Sequence, residues 1–443
     1  MGADTAAVEA VRDTALWLEP GADGIAPLLD AVGSARVVLI GEATHGTAEF
    51  YRVRADLTAA LITRKGFNLI AAEADWPDAY RANRWVRLVS DDPDAASALG
   101  DFTRFPRWMW RNDVVVEFLT WLRAQNAGKT FRERTGFYGL DLYSLHTSMD
   151  AVLRYLGKVD PEGARRARER YACFEDFGTD PQSYGYAATV GLSRSCEDDV
   201  VAQLVDLRKR AVEYASRDGF VAEDEYFFAE QNARLVRNAE QYYRSMFGGR
   251  SESWNIRDTH MMETLDALIQ WTARRSGDAR AVVWAHNSHL GDARATQMGQ
   301  WGELNLGQLA RQKYGDDACL IGFTTHTGTV TAARDWDEPA ERRQVRPSMP
   351  GSYERLFHDT GMARFFIPLA EEPARTALLS PRLERAIGVI YKPETERASH
   401  YFPAHLPGQF DFVIHVDATT ALTPLERWSR EDADLPETYP TGV

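Results

Sequence analysis

The sequence predicts a three-layer α/β/α fold with a mainly parallel sheet and a large helical insertion. Short runs of β-branched and apolar residues alternate along the chain with longer stretches of helical periodicity. Most of the short runs are almost continuously apolar, which is typical of strands that helices cover on both faces. Strands and helices in alternation favour a parallel sheet enclosed between two helical layers.

Seven runs are predicted to be strands, over 36–40, 68–72, 136–140, 281–285, 319–323, 387–391 and 412–416. Helices are predicted over 47–65, 113–126 and 303–314, where apolar residues recur with helical spacing. Between 147 and 272 the chain has helical period, many arginines and glutamates and no strand-like run. We therefore expect an α/β core over 1–146 and 273–443, and a helical insertion over 147–272 that forms a wall of a cleft.

Composition narrows the class of protein. The chain has 443 residues, of which 44% are hydrophobic and 26% charged, as in soluble globular proteins. Its net charge of −14 argues against a broad surface for nucleic acid. The acidic N-terminal segment lacks the apolar stretch of a secretory signal, and no apolar run approaches the length of a membrane span. We expect a cytoplasmic protein without nucleic-acid or membrane partners, and the sequence leaves its oligomeric state open.

Four of the predicted strands end in polar residues. The segments that follow them are GEATHG at 41–46, EADWP at 73–77, DLY at 141–143 and HNSH at 286–289. The carboxyl ends of parallel strands share one edge of a sheet, where ligands bind in open α/β folds. Three histidines and four acids at one edge predict a functional site.

His45 is the candidate general base of this site. It lies at a predicted strand-to-helix turn, where the helix dipole disfavours the imidazolium and leaves the neutral ring that a base requires. Glu42 either orients His45 or is a surface acid, and Glu73 follows an apolar strand, so it needs a cationic or hydrogen-bonding partner. His286 and His289 share a face if a helical turn begins there.

The same five residues leave a metal-dependent hydrolase open as an alternative. Carboxylates and imidazoles suit a divalent first-row ion, but no compact zinc motif such as HExxH is present. We expect no metal and no cofactor.

The sequence lacks the motifs that are typical of a serine or cysteine nucleophile. GxSxG is absent, which argues against a serine nucleophile elbow. The cysteines, Cys173, Cys196 and Cys319, are odd in number and form no CxxC, so we expect neither a disulfide framework nor a thiolate zinc cluster. None of them lies beside the four strand ends, which argues against a thiol nucleophile.

Two further segments are expected to line the site. The stretch 105–112 combines aromatic residues with arginines before a helix, and 253–258 opens another helix. Arg257 near a helix start favours an anionic partner. The substrate-binding candidates from these segments and from the strand ends are Trp76, Trp110, Tyr143 and Asn255.

These motifs resemble those of the erythromycin esterase family. The resemblance runs from about residue 36 to 424 and rests on VLIGEATHGTAEFYRVRADL, IAAEADWP, FPRWMWRN, YGLDLYSL, YYRSMFGG, SWNIRDTHM, VVWAHNSHLGDAR, ETERASHYF and QFDFVIHVD. It implies an α/β/α core with inserted helices, hydrolysis of an ester or lactone of the macrolide type, and a role in antibiotic resistance.

The resemblance also implies roles for single residues. His45 matches the general base that activates water, Glu42 and Glu73 match the acids around it, and His286 and His289 match a second histidine pair. Arg54 and Arg257 match arginines that line the site. We expect Arg257, Arg54 or a protonated histidine of the pair to stabilise the oxyanion. A biosynthetic hydrolase or transferase acting on another small metabolite is the remaining alternative.

Overall fold

The computed structural model describes residues 2–19, 21, 24–177, 181–215, 220–247 and 250–426. Parts of the predicted insertion (178–180, 216–219, 248 and 249) and of the predicted core (1, 20, 22, 23 and 427–443) lie outside these residues. The strands are β1 Leu16–Trp17, β2 Val37–Ile40, β3 Leu69–Asp75, β4 Gly136–Asp141, β5 Ala281–Trp284, β6 Ala318–Ala332, β7 Glu341–Val345, β8 Arg364–Pro368, β9 Arg382–Arg385, β10 Tyr401–Ala404 and β11 Phe412–Thr419.

The α-helices divide into those before β5 and those after it. Before β5 lie α1 Gly2–Thr14, α2 Ala26–Ala31, α3 Ala48–Lys65, α4 Trp76–Val86, α5 Ala95–Ala98, α6 Asp113–Asn126, α7 Leu145–Val159, α8 Pro161–Tyr171, α9 Pro181–Thr189, α10 Glu197–Lys209, α11 Ala211–Ala215, α12 Phe220–Ser245 and α13 Arg250–Ser276. After it lie α14 Asn287–Leu290, α15 Gln297–Gln300, α16 Leu306–Tyr314, α17 Tyr353–His358, α18 Ala374–Ala377, α19 Glu396–Ser399 and α20 Leu406–Gln409.

Within the described residues, nine strands form one mixed sheet, and β9 pairs with β10 separately. The order across the large sheet is β1-β8-β11-β6-β2-β5-β3-β4, and β7 pairs with the far end of β6. The pairings from β11 through β6, β2, β5 and β3 to β4 are parallel, whereas β8 and β1 add an antiparallel edge. The predicted α/β class with a mainly parallel sheet is confirmed.

Both faces of the sheet are covered by apolar side chains. On β2, Val37 and Leu39 face one buried cluster, whereas Val38 and Ile40 face another. Helices α13 and α16 contribute to the first cluster and α3 and α6 to the second. Successive side chains of a strand point to opposite faces, so a strand between two helical layers is apolar throughout, as the sequence analysis assumed.

The predicted helices agree with α3, α6 and α16, and local signals set their ends. The side chain of Asn112 accepts a hydrogen bond from the amide of Val115 at the start of α6, and Asn305 caps α16 in the same way. Gly66 ends α3 with a φ of 71°, the left-handed conformation that glycine adopts without strain.

The strand predicted at 387–391 is wrong. Ile387 and Ile390 make only isolated bridges, to Thr44 and Ala333, and Ile387 and Tyr391 are buried against β6 and β7. The apolar run therefore reflects a buried loop rather than a strand. Strand β8, the antiparallel neighbour of β11, was not predicted from the sequence.

The described part of the chain between β4 and β5 contains helices and no strand, and the limits of the insertion stay a prediction. Within this part Cys173 and Cys196 form a disulfide with Cα atoms 5.9 Å apart, a pairing that the sequence analysis did not expect. The fold brings them together across 23 residues of sequence, a spacing with no motif. None of the helices in the described residues has the length and hydropathy of a membrane span.

Candidate active site

The carboxyl ends of β2, β5, β3 and β4 lie side by side in the sheet and bring the predicted residues together. They border a cavity of about 580 Å³. Five of the seven predicted catalytic residues line it, namely His45, Glu73, Arg257, His286 and His289. Its volume lies within the range of roughly 300–1,000 Å³ that small-molecule sites have.

Glu42 and Arg54 lie behind His45 rather than on the cavity wall. The Nδ1 atom of His45 is 2.9 Å from Oε1 of Glu42, and Nη2 of Arg54 donates to the other carboxylate oxygen at 2.9 Å. The side chains of Glu42 and Arg54 are only 1% and 0% exposed. A carboxylate held by an arginine accepts a hydrogen bond from Nδ1–H of the imidazole, so the lone pair of the neutral ring lies on Nε2.

His286 is a second histidine beside His45. The centroid of its ring is 4.7 Å from that of His45, and its backbone amide donates to Oε2 of Glu73 at 2.9 Å. Its Nδ1 atom accepts from the amide of Ser288 at 3.2 Å, which places the hydrogen on Nε2. The buried Nε2 atom has no hydrogen-bond partner among the described residues. Burial and the neighbouring His45 lower the pKa of His286 to about 3.

His289, unlike His286, is cationic at neutral pH. Burial disfavours its imidazolium, but the carboxylates of Asp258 and Glu73 outweigh burial and raise the pKa of His289 to about 9. Its Nδ1 atom is 2.9 Å from Oδ2 of Asp258, and the indole of Trp254 stacks on the ring at 4.5 Å. Its Nε2 atom lies 3.4 Å from Oε1 of Glu73 and 3.0 Å from Nη1 of Arg257. The cationic ring donates to Glu73, whereas a neutral ring accepts from Arg257.

Arg257 is fixed in the cavity by two carboxylates. Its Nε and Nη2 atoms donate to the two oxygens of Asp141 at 3.0 and 2.6 Å, and Nη2 also donates to Glu73 at 2.8 Å. Its guanidinium lies 4.8 Å from the ring centroid of Tyr143. Burial opposes the ionisation of Glu73, but His289 and Arg257 hold the pKa of this carboxyl well below its usual range.

The predicted substrate-binding residues divide into two pairs. Trp110 and Tyr143 line the cavity. Trp76, which is 2% exposed, packs between Tyr138 and the aromatic side chains of α12, away from the cavity wall. Asn255 bonds the backbone of Gly302 and Leu304 and so holds the loop after α15 against α13. Trp76 and Asn255 therefore belong to the packing around the cavity and do not line it.

Asp258 and Asp141 were not among the predicted site residues, although the one orients His289 and the other holds Arg257. Asp141 was visible as a strand-end acid. Asp258 follows Arg257 directly, but nothing in the local pattern indicates that its side chain turns to a histidine 31 residues away.

The described residues contain no group of three histidine, cysteine, aspartate or glutamate side chains in an arrangement that could hold a metal ion. The buried Cys319, whose thiol pKa burial raises, lies on β6 and not on the cavity wall.

Comparison with known proteins identifies the family of this chain. Residues 62–419 match the family model described as erythromycin esterase. The chain belongs to the erythromycin esterase family. The matched residues include Glu73, Arg257 and the 286/289 histidine pair, and they begin after the segment with Glu42 and His45.

Relatives of this erythromycin esterase family member are distant but match nearly the whole chain. The erythromycin esterase type II of Escherichia coli is 22% identical over 392 residues, which cover 85% of this chain and 90% of the relative. The putative hydrolase YbfO of Bacillus subtilis is 20% identical over 407 residues, covering 87% and 84%.

Solved structures share the fold. A Bacillus cereus protein superposes with a TM-score of 0.75 at 19% identity, covering 96% of this chain and 99% of its own. An erythromycin esterase mutant in its open conformation superposes with a TM-score of 0.67 at 17% identity, covering 92% and 97%.

Proposed function

We propose that this protein is a carboxylic ester hydrolase that opens a lactone of the macrolide type, or cleaves a related ester, with a water activated by His45. The bonded set Arg54–Glu42–His45 is the observation that carries the proposal. Family membership supports the reaction class, since relatives are named as erythromycin esterases.

His45 is the proposed base because its partners fix its tautomer. The Glu42 carboxylate holds the hydrogen on Nδ1, so Nε2 is free to take a proton from water. Glu42 also stabilises the imidazolium that forms, and Arg54 keeps Glu42 in place. A positioned base of this kind contributes roughly 10²–10⁴ to the rate.

The hydroxide then adds to the carbonyl carbon, and negative charge develops on the carbonyl oxygen. We assign the stabilisation of this oxyanion to Nε2–H of His286, a buried group for which the described residues offer no hydrogen-bond partner. One such donor is worth roughly 10²–10³ in kcat. Arg257 and His289 are cations on the same wall, but Glu73, Asp141 and Asp258 offset their charges, and Arg54 lies too deep to reach a substrate.

The tetrahedral intermediate collapses with cleavage of the C–O bond to the alcohol. The imidazolium of His45 gives its proton from Nε2 to the departing alkoxide oxygen. The products are a carboxylic acid and an alcohol, or a hydroxy acid when the substrate is a lactone. One water is consumed, and His45 returns to its starting state.

The test is a screen of macrolides and simpler lactones by liquid chromatography and mass spectrometry. We expect a product heavier by one water, with the isotope of labelled water in its carboxyl group. Activity that is lost on chelation and restored by a metal would favour the metal-dependent alternative. Turnover of a non-macrolide lactone alone would favour a biosynthetic substrate, and the absence of any hydrolysis would contradict the proposal.

We further propose that the protein acts on small molecules in the cytoplasm, where it protects against macrolides. The net charge of −14 is the support for a protein without nucleic-acid partners. Thiols in the cytosol are kept reduced, so the pair that forms the Cys173–Cys196 disulfide should be reduced there. Because Cys196 is buried, the cells are quenched with acid and the protein is denatured before alkylation, which should then label both cysteines. Protection of both cysteines from alkylation would contradict a cytoplasmic location.

A further inference from the structure

Asp78 is a buried carboxyl group on the wall of the cavity, and the described part of the chain provides no hydrogen-bond or ion-pair partner for it. It lies in the first turn of α4 and is 6% exposed. Among the described residues it makes no hydrogen bond or ion pair, although acids in a first helical turn often bond the free amides there. Buried carboxyl groups are normally paired, so the missing partner points to a ligand.

The neighbours of Asp78 leave negative charge in excess. Asp75, the N-cap residue of α4, lines the same cavity with a side chain that is 10% exposed. The backbone of Tyr143 donates to its carboxylate, but its buried Oδ1 atom has no hydrogen-bond partner among the described residues. Arg104 Nη1 lies 3.5 Å from the other oxygen of Asp75, and Asp101 is paired with Arg81. Burial and Asp75 raise the pKa of Asp78 to about 8, against the opposing effect of Arg104. Among the described residues, Arg104 is the only arginine within ion-pair distance of either carboxyl; it is 44% exposed, and Arg257 has a weaker, more distant effect on Asp75.

We propose that the substrate ester or lactone carries a protonated amine, which binds at Asp78 with support from Asp75. This inference rests on the proposed hydrolase function and names the class of substrate that the cavity accepts. The ammonium N–H donates to the Asp78 carboxylate and adds the second positive charge that the two acids lack.

The rest of the cavity favours an organic cation. Phe102, Phe105, Trp110 and Tyr143 line it, and aromatic faces attract ammonium groups as well as alkyl substituents. The described residues offer no group of three ligands for a metal ion, which argues against an inorganic cation at Asp78. A neutral substrate would leave the two carboxyls as they are, and an anionic one would be repelled by them.

The test compares two esters that differ only in charge, dimethylaminoethyl benzoate and isopentyl benzoate, in which a CH replaces the protonated nitrogen. The assays run at pH 8, where both the carboxylate and the ammonium are populated. We expect the wild type to prefer the charged ester by about tenfold or more in kcat/KM. Asp78→Asn should abolish this preference, and Asp78→Glu should keep part of it.

Asp101→Asn is the matched control, because it removes the same charge near α4 from a residue that does not line the cavity. We expect it to keep the preference. Equal rates on the two esters in the wild type, or an unchanged preference in a folded Asp78→Asn variant, would overturn the proposal.

A binding measurement tests the amine site independently of the proposed hydrolysis. The probe is benzyldimethylamine, whose contact with the protein is measured by saturation-transfer NMR at pH 8. If the wild type binds the probe and Asp78→Asn does not, the amine site is supported. This holds even if neither ester is hydrolysed, because the lack of hydrolysis then contradicts only the proposed reaction. If both proteins bind the probe equally, or neither binds it, the amine site is refuted whatever the esters do.

Discussion

Replacing Glu42 by Gln should separate the chemistry of His45 from the stability of the fold. The amide of Gln can offer an N–H to Nδ1 of His45, where the carboxylate only accepts. The ring would then carry its hydrogen on Nε2 and lose the lone pair that takes the proton from water. Loss of the correct tautomer in a histidine base costs about 10⁴ in kcat, so we expect a loss of about 10³–10⁴.

The same change leaves Arg54 buried without its counter-ion. Among the described residues Glu42 is the only carboxylate paired with Arg54, at 2.9 Å, and neither side chain is accessible to water. Breaking a buried ion pair by removing one partner costs about 3–5 kcal/mol. That is a large part of a typical stability of about 5–15 kcal/mol, so Glu42→Gln should lower the urea midpoint clearly.

A second variant tells the two effects apart. Glu42→Gln with Arg54→Met removes both charges and should recover most of the lost free energy of unfolding, while turnover stays low because His45 still lacks its carboxylate. Glu117→Gln, on the exposed side of α6, is the control and should change neither quantity. Lactone hydrolysis per folded protein and urea unfolding are the two assays. A folded Glu42→Gln variant with kcat within tenfold of the wild type would refute the tautomer argument.

Three further predictions follow from the site. His45→Ala should lower kcat by roughly 10³ or more at unchanged thermal stability, and near-wild-type turnover would remove His45 from the mechanism. The raised pKa of His289, about 9, should stabilise the fold fully below its unfolded value of about 6.5, and this stability should be lost as the pH rises through 9. Urea titrations should find that pH dependence weakened in Asp258→Asn, and an identical dependence would contradict the assignment. Ser288→Ala and Thr44→Val should each retain measurable turnover, and a substrate adduct on either residue in intact-protein mass spectrometry would overturn direct attack by water.

The parts of the fold that sequence could predict are those in which local pattern and tertiary structure agree. Strands β2 and β5 are apolar throughout, and β3 and β4 are apolar up to the acids at their carboxyl ends, because helices cover both faces of the sheet. Helix α3 ends at a glycine that adopts a positive φ. The stretch 387–391 misled the prediction because burial of a loop produces the same apolar run as burial of a strand. No periodicity distinguishes the two, since only pairing does.

The site was predictable as a location and less so as a set of contacts. Strand-end polarity identified four segments because parallel strands present their carboxyl ends at one edge. It could not predict that Arg54, nearly two helical turns into α3, turns back beneath Glu42, or that Asp258 on α13 reaches His289. It likewise could not distinguish Trp110, which lines the cavity, from Trp76, which packs against α12. Those outcomes depend on how helices pack on the sheet.

The three histidines of the cavity illustrate how partners decide function. They are the same residue type at neighbouring strand ends, yet each has a different environment. His45 faces a carboxylate neutralised by Arg54, His286 accepts a backbone amide, and His289 lies between two acids. The first is thereby suited to accept a proton, the second to donate a hydrogen bond without carrying charge, and the third to supply positive charge. A histidine given different partners should therefore take a different role. Glu42 and Asp258 do not line the cavity wall. Because they determine the states of His45 and His289, replacing them tests the mechanism most directly.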